Sequence, residues 1–152
     1  LADPISLPFQ FNVSHTKGMA LLAVTVEHVV GIDVEQLDRT VSDHDIATRY
    51  FSPRESAYLS SLSPERRTQE FLTYWTCKEA YLKMRGIGLS GGLAQCEVAL
   101  DPDGLKAKIS LRDGPSREDD CSLFRVNAGQ GYIGALAVAW PSVEVSFWDW
   151  TD

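Results

Sequence analysis

Two carboxylates stand two residues apart in Val30-Gly31-Ile32-Asp33-Val34-Glu35. A period of two puts Ile32 and Val34 on one face of a strand, with Asp33 and Glu35 on the other. The pair alone reads as a solvated strand end or as a metal site. Partly buried carboxylates need a cation or protons. Oxygen ligands of this kind suit Mg²⁺, which binds through one or two carboxylates plus phosphates. A third carboxylate, Glu79, precedes Lys83 by four residues in Trp75-Thr76-Cys77-Lys78-Glu79-Ala80-Tyr81-Leu82-Lys83. At helical spacing Glu79 and Lys83 share one face. The polar stretch from Asn12 to Gly18 carries Ser14, His15, Thr16 and Lys17. It reads as a loop between strands, either a hydrogen-bonded turn or a set of contacts for an anion.

The elements that hold these groups follow from periodicity and caps. Phe9 and Phe11 alternate with Gln10 and Asn12, as in a short strand. Met19 to Val26 and Val29 to Glu35 are strands, expected to form a hairpin through Glu27-His28. Ser42 to Tyr50 reads as a short helix. Ser52, Pro53 and Glu55 spell a capping box with proline at the first helical position, and Ser63-Pro64 repeats the start signal. The second of these helices spans about Pro64 to Met84. Phe71, Leu72, Tyr74, Trp75 and Leu82 form its buried stripe, and Gly86 is its C-cap. Gly86, Gly88, Gly91 and Gly92 make a loop that approaches a ligand closely or only reverses the chain.

Beyond that loop, strands at Gln95 to Leu100 and Leu105 to Leu111 flank one turn. Leu123 to Asn127 and Tyr132 to Trp140 flank another. Tyr132 to Trp140 is nearly all apolar and is the expected central strand. In the tail Val143, Val145 and Phe147 alternate, while Trp148 and Trp150 fall on the other face and need cover. The order of elements predicts an α+β fold, with helices packed on one face of an antiparallel sheet.

Composition narrows the function. The chain has 152 residues, a net charge of −7 and 44% hydrophobic residues. The acidic balance argues against nucleic acid as the main partner. The 3 cysteines lack metal-ligand spacing, so a reducing compartment, the cytoplasm, is expected. No secretory leader or membrane-length apolar run is present, so no membrane partner is expected. Asn12-Val13-Ser14 matches a glycosylation acceptor, a pattern common by chance. There is no Rossmann fingerprint, P-loop or nucleophile elbow.

Four pieces stand in order: FNVSH (11–15), GIDVE (31–35), FSPRE (51–55) and WTCKEAYLK (75–83). Together they resemble the signature of the 4′-phosphopantetheinyl transferases, and most closely the larger, pseudo-dimeric surfactin-synthetase type. GYIGALAV (131–138) resembles that family's late strand. The resemblance covers about Phe9 to Trp140. It implies transfer of the phosphopantetheine arm of coenzyme A to a serine of an apo acyl or peptidyl carrier protein, with Mg²⁺ required. By the same resemblance, Asp33, Glu35 and Glu79 are metal ligands. Ser14 and His15 contact coenzyme A phosphates, Lys83 lies near the pyrophosphate, and Glu79 is the expected base for the serine proton. Lys78 receives no direct role and is expected to face solvent. Residues 1–152 are expected to be one lobe of a two-lobe enzyme, its C-terminal half, lacking an N-terminal lobe. The competing expectation is a complete short protein that completes its sites as a homo-oligomer. Arg49, Arg54, Arg66 and Arg67 are either contacts for an acidic carrier or a solvated helical face.

Overall fold

Gly31 marks the tightest contact in the fold. A Cβ there would lie 2.1 Å from the carbonyl oxygen of Ala80 and 2.4 Å from the amide nitrogen of Met84. Only hydrogen at that position lets a helix lie this close to the strand. The computed structural model describes residues 8–38, 50–88, 92–101, 103, 105–111 and 121–150. The short helix expected over Ser42 to Tyr50 lies, except for Tyr50, outside them.

Two antiparallel sheets organise the described residues. The smaller is a ribbon of β1 (Phe9–Thr16) and β2 (Met19–Val26), turned at Gly18 with φ 78°. The larger contains β3 (Val30–Gln36), β4 (Cys96–Leu100), β5 (Lys106–Leu111), β6 (Ser122–Val126) and β7 (Tyr132–Val138), in the order β3-β7-β6-β5-β4. β7 is interior, as its continuous apolar sequence predicts. Gly129 (φ 98°) and Gly131 (φ 86°) turn the chain from β6 into β7.

Two sequence expectations are corrected here. The stretch from Asn12 to Gly18, expected as a loop, is strand as far as Thr16. That part lies on β1, and the turn is confined to Lys17-Gly18. β2 and β3 do not form a hairpin. Their connection passes through Glu27 at φ 69°, and the two strands enter different sheets. The physical reason is that β3 pairs by backbone with β7, from Val30↔Val138 to Gln36↔Tyr132. Side chains of β1 meet two amides of β3: Asn12 Oδ1 accepts from Ile32 N–H (3.0 Å), and Ser14 Oγ accepts from Val34 N–H (3.3 Å). Two side chains at a spacing of two thus cap an edge that would otherwise present unpaired donors.

The helices are α1 (Pro53–Ser60) and α2 (Pro64–Arg85). Ser52 and Glu55 close the expected capping box on α1, and Gly86 ends α2 in the left-handed conformation. Both helices cover the sheet face that carries Leu123, Ile133, Ala135 and Ala137. The opposite face holds Val126, Leu136 and Val138, packed with Ala23 of the ribbon and with Val143 and Val145 of the tail. α2 is more enclosed than a one-sided stripe predicts: Phe71 to Tyr74 and Thr76 to Leu82 are all buried. Trp75 is the half-exposed position, stacked on Phe71 at 5.9 Å. Trp148 and Trp150 remain exposed, and residues 141–150 form no strand.

Candidate active site

The close approach at Gly31 brings α2 against β3 along the face bearing Asp33 and Glu35. Asp33 is buried, opposite Ala135 in register, and Glu35 is half-buried opposite Ile133. Leu72, Thr76, Glu79 and Lys83 recur at helical spacing on one side of α2. That side brings Lys83 to β3. Its Nζ donates to Asp33 Oδ1 (2.7 Å), Ile32 O (3.0 Å) and Ser14 Oγ (3.1 Å), which uses all three ammonium protons. The Ser14 hydroxyl donates in turn to Asp33 Oδ1 at 3.0 Å. Residues distant in sequence therefore meet in one network of β1, β3 and α2.

Glu79 stands beside this network in a costly state. Burial, followed by the charge of Asp33, pushes its carboxyl from 4.5 up to about 7, while Lys83 opposes and Glu35 adds to the rise. Asp33 Oδ2 and Glu79 Oε1 are both buried without a hydrogen-bond partner. Two such oxygens are costly unless a proton or cation meets them. A pocket of about 380 Å³ opens nearby, lined by Val13, Ser14, His15, Asp33, Val34, Glu35 and Lys83. The structure thus gathers Ser14, His15, Asp33, Glu35 and Lys83 around one opening. It sets Glu79 within electrostatic reach behind them.

The donor set fits a hard divalent cation through its two orphaned carboxylate oxygens. The expected trio of Asp33, Glu35 and Glu79 is not drawn together as a finished cage. Among the described residues no three His, Cys, Asp or Glu side chains stand ready to hold a metal ion. In this arrangement Lys83 supplies the positive charge at Asp33.

A second charged cluster was not recognised from sequence. Lys78, expected to face solvent, is fully buried. Its Nζ donates to Glu55 Oε2 (2.7 Å), Leu93 O (3.0 Å) and Cys96 O (2.7 Å), and lies 4.8 Å from the Phe51 ring centroid. Glu55 also accepts from Ser52 N–H and Val98 N–H, both at 2.8 Å. Burial lowers the Lys78 ammonium from its ordinary value, and Glu55 opposes that shift. The signal was present in the spacing: 71, 75, 78 and 82 recur on one stripe, so Lys78 belongs with Phe71 and Leu82. Arg67 is also engaged, donating to Leu59 O (3.1 Å) and Leu62 O (3.0 Å). Burial pushes the Cys77 thiol up to about 12 and the Cys96 thiol up to about 11, so both are protonated packing groups. No helix among the described residues is long and apolar enough to cross a membrane.

With this geometry in view, comparison with known proteins is informative. The sequence profile of the 4′-phosphopantetheinyl transferase superfamily matches residues 29–137. The chain is 38% identical over 138 residues to the 4′-phosphopantetheinyl transferase HetI of Nostoc sp., covering 91% of this chain and 55% of HetI. It is 32% identical over 131 residues to the 4′-phosphopantetheinyl transferase Sfp of Bacillus subtilis, covering 86% of this chain and 55% of Sfp. The chain thus spans about half the length of these curated relatives. A solved holo-(acyl-carrier-protein) synthase from Bacillus anthracis, in complex with CoA (3′,5′-ADP), is similar with a TM-score of 0.60 and 25% identity. That match covers 76% of this chain and 98% of the synthase chain. The chain belongs to the 4′-phosphopantetheinyl transferase superfamily.

Proposed function

We propose that this member of the superfamily transfers the 4′-phosphopantetheine arm of coenzyme A to a serine of an apo acyl or peptidyl carrier protein, in the cytoplasm. The products are holo-carrier protein and 3′,5′-ADP. The observation that carries this reading is the pair of buried, unpartnered carboxylate oxygens, Asp33 Oδ2 and Glu79 Oε1, beside a pocket that also holds a lysine. Asp33 and Glu79, with Glu35 beside them, would hold Mg²⁺. When bound, that ion supplies charge neutralisation for the pyrophosphate.

The chain's own residues account for the remaining steps. The carrier serine oxygen forms a bond to the β-phosphorus of coenzyme A, and the bond from that phosphorus to the bridging oxygen breaks. The 3′,5′-ADP departs with the bridging electron pair. Glu79, a buried carboxylate beside the Asp33–Lys83 network, takes the serine proton. Lys83 holds a positive charge at the pocket wall, where the leaving phosphate gathers negative charge. His15, exposed on β1 at the pocket rim, is a phosphate contact together with Ser14.

Because the chain covers about half of its curated relatives, residues 1–152 are read as the C-terminal part of a two-lobe enzyme of the surfactin-synthetase type. The second reading is a lobe that binds carrier protein without completing transfer. Incubation with coenzyme A, Mg²⁺ and an apo carrier protein, followed by intact mass of the carrier, tests both. A gain of the phosphopantetheine mass is expected from the longer polypeptide. A gain there but none with the 152-residue chain identifies an incomplete lobe. No gain with either refutes the transferase reading.

A further inference from the structure

The β1–β2 ribbon forms its own sheet, so side chains and not a backbone ladder fix it against β3. Asn12 meets Ile32 N–H and Ser14 meets Val34 N–H, a step of two on both strands. The next residue of β3 in that series is Gln36, whose partner on β7 is Tyr132. A third tether stands there. Tyr132 Oη donates to the carbonyl oxygen of Lys17 at 3.0 Å, across 115 residues of sequence. Tyr132 alternates with Gly134 and Leu136 on the β7 face beneath the ribbon, where a Cβ at Gly134 would lie 3.3 Å from Leu21 of β2. Lys17 and Gly18 are the whole turn between β1 and β2. Gly18 has a φ of 78°, and a Cβ there would lie 2.7 Å from Tyr132 Oη. Glycine is therefore required twice, by the backbone of the turn and by the hydroxyl that lies over it.

We infer that Tyr132 and Gly18 form a latch that seats the tip of the ribbon, and that Tyr132 is thereby a positioning residue for the coenzyme end of the pocket. The inference rests on the transferase reading, in which Ser14 and His15 meet the coenzyme phosphates. The tyrosine acts through β1 and not by touching the ligand.

The placement of the tethers gives the reason. His15 lies between the Ser14 tether and the Lys17 tether, and both Ser14 and His15 line the pocket. Ser14 Oγ also accepts from Lys83 and donates to Asp33, so a shift of β1 disturbs the charged network as well. A strand pinned only on one side of His15 pivots about that point. Pinned on both sides, it presents the imidazole and the hydroxyl to a phosphate in one arrangement, which is where binding gains from fixed geometry.

The test uses the longer polypeptide. Tyr132→Phe keeps the ring and removes the tether. It is expected to raise KM for coenzyme A about fivefold with kcat within about twofold of the parent, the pattern of lost ligand binding, and to leave KM for the carrier protein unchanged. Gly18→Ala strains the turn and pushes it off the hydroxyl, and is expected to raise the same KM about tenfold. In the Tyr132→Phe background it adds less, because the oxygen that the new Cβ meets is gone. Hydrogen exchange of the amides over residues 15–20 is expected to quicken about fivefold in Tyr132→Phe, while that of α2 stays as in the parent. That readout needs no transfer, so quickened exchange in a protein that transfers nothing would uphold the latch and sink the transferase reading. A lower Tm with unchanged exchange and unchanged KM would make Tyr132 a packing group and overturn the inference. So would additive effects of Gly18→Ala and Tyr132→Phe on KM.

Discussion

Two lysines five residues apart on α2 are each paired with a carboxylate at 2.7 Å, yet they do different work. The Lys78–Glu55 pair is sealed, with side-chain exposures of 0% and 2%. It joins the start of α1, the middle of α2 and the entry to β4, and each ammonium proton has an acceptor. The Lys83–Asp33 pair sits at a pocket, with Lys83 at 29% exposure, and it leaves Asp33 Oδ2 unmet. A satisfied buried pair specifies geometry, whereas an unsatisfied one beside an opening is poised for a ligand.

Breaking the sealed pair is expected to have the largest effect. Lys78→Ala strands a buried carboxylate and should destabilise the chain by about 3–5 kcal/mol in urea titration. Glu55→Gln combined with Lys78→Met should lose less than either single substitution predicts. A fully additive double variant would show that the two charges are not coupled. Gly31→Ala comes next. Its Cβ would drive α2 from β3, at a cost of about 1–3 kcal/mol or more, with Lys83 pulled away from Asp33.

Substitutions at the open pair should separate activity from stability. Lys83→Met is expected to cost on the order of 100-fold in transfer rate while lowering stability by only about 1 kcal/mol, since the group is partly exposed. A loss of stability as large as that for Lys78→Ala would erase the distinction between the two pairs. Glu79→Gln should also reduce transfer by roughly 100-fold. Full activity in that variant would remove Glu79 from the proton step.

The last expected effect, spread over a range of pH, is in the stability profile. Glu79 has a folded value raised to about 7 from 4.5. Between those values the folded chain keeps a proton that the unfolded chain releases. This contribution to stability is therefore fully present below about 4.5 and lost as pH rises through about 7. Glu79→Gln should flatten that part of the stability profile, and added Mg²⁺ should offset the loss in the parent chain. An unchanged slope in Glu79→Gln would mean that other groups set it.

Much of the local structure was legible because its causes are local. The capping box at Ser52 and Glu55, the stop at Gly86 and the hairpin before Tyr132 each depend on neighbours in sequence. Asp33 and Glu35 were placed correctly on one strand face by alternation alone. Glu55 was harder to read because its capping role gave a sufficient explanation, which concealed its ion pair with Lys78. Asn12 and Ser14 were read as loop residues because polar side chains usually mark turns. Their hydrogen bonds to a strand edge depend on a partner twenty residues away.

By itself the sequence determined the α+β order of elements, the carboxylate face of β3, and the helical face shared by Glu79 and Lys83, since period and chirality decide these within a few residues. Tertiary structure alone decided which lysine was sealed and which reached the pocket, because the surroundings of each are built from distant segments. It also decided that β2 leaves β3 for another sheet. A strand edge is satisfied by whichever partner the whole fold brings to it, and local propensity holds no record of that choice.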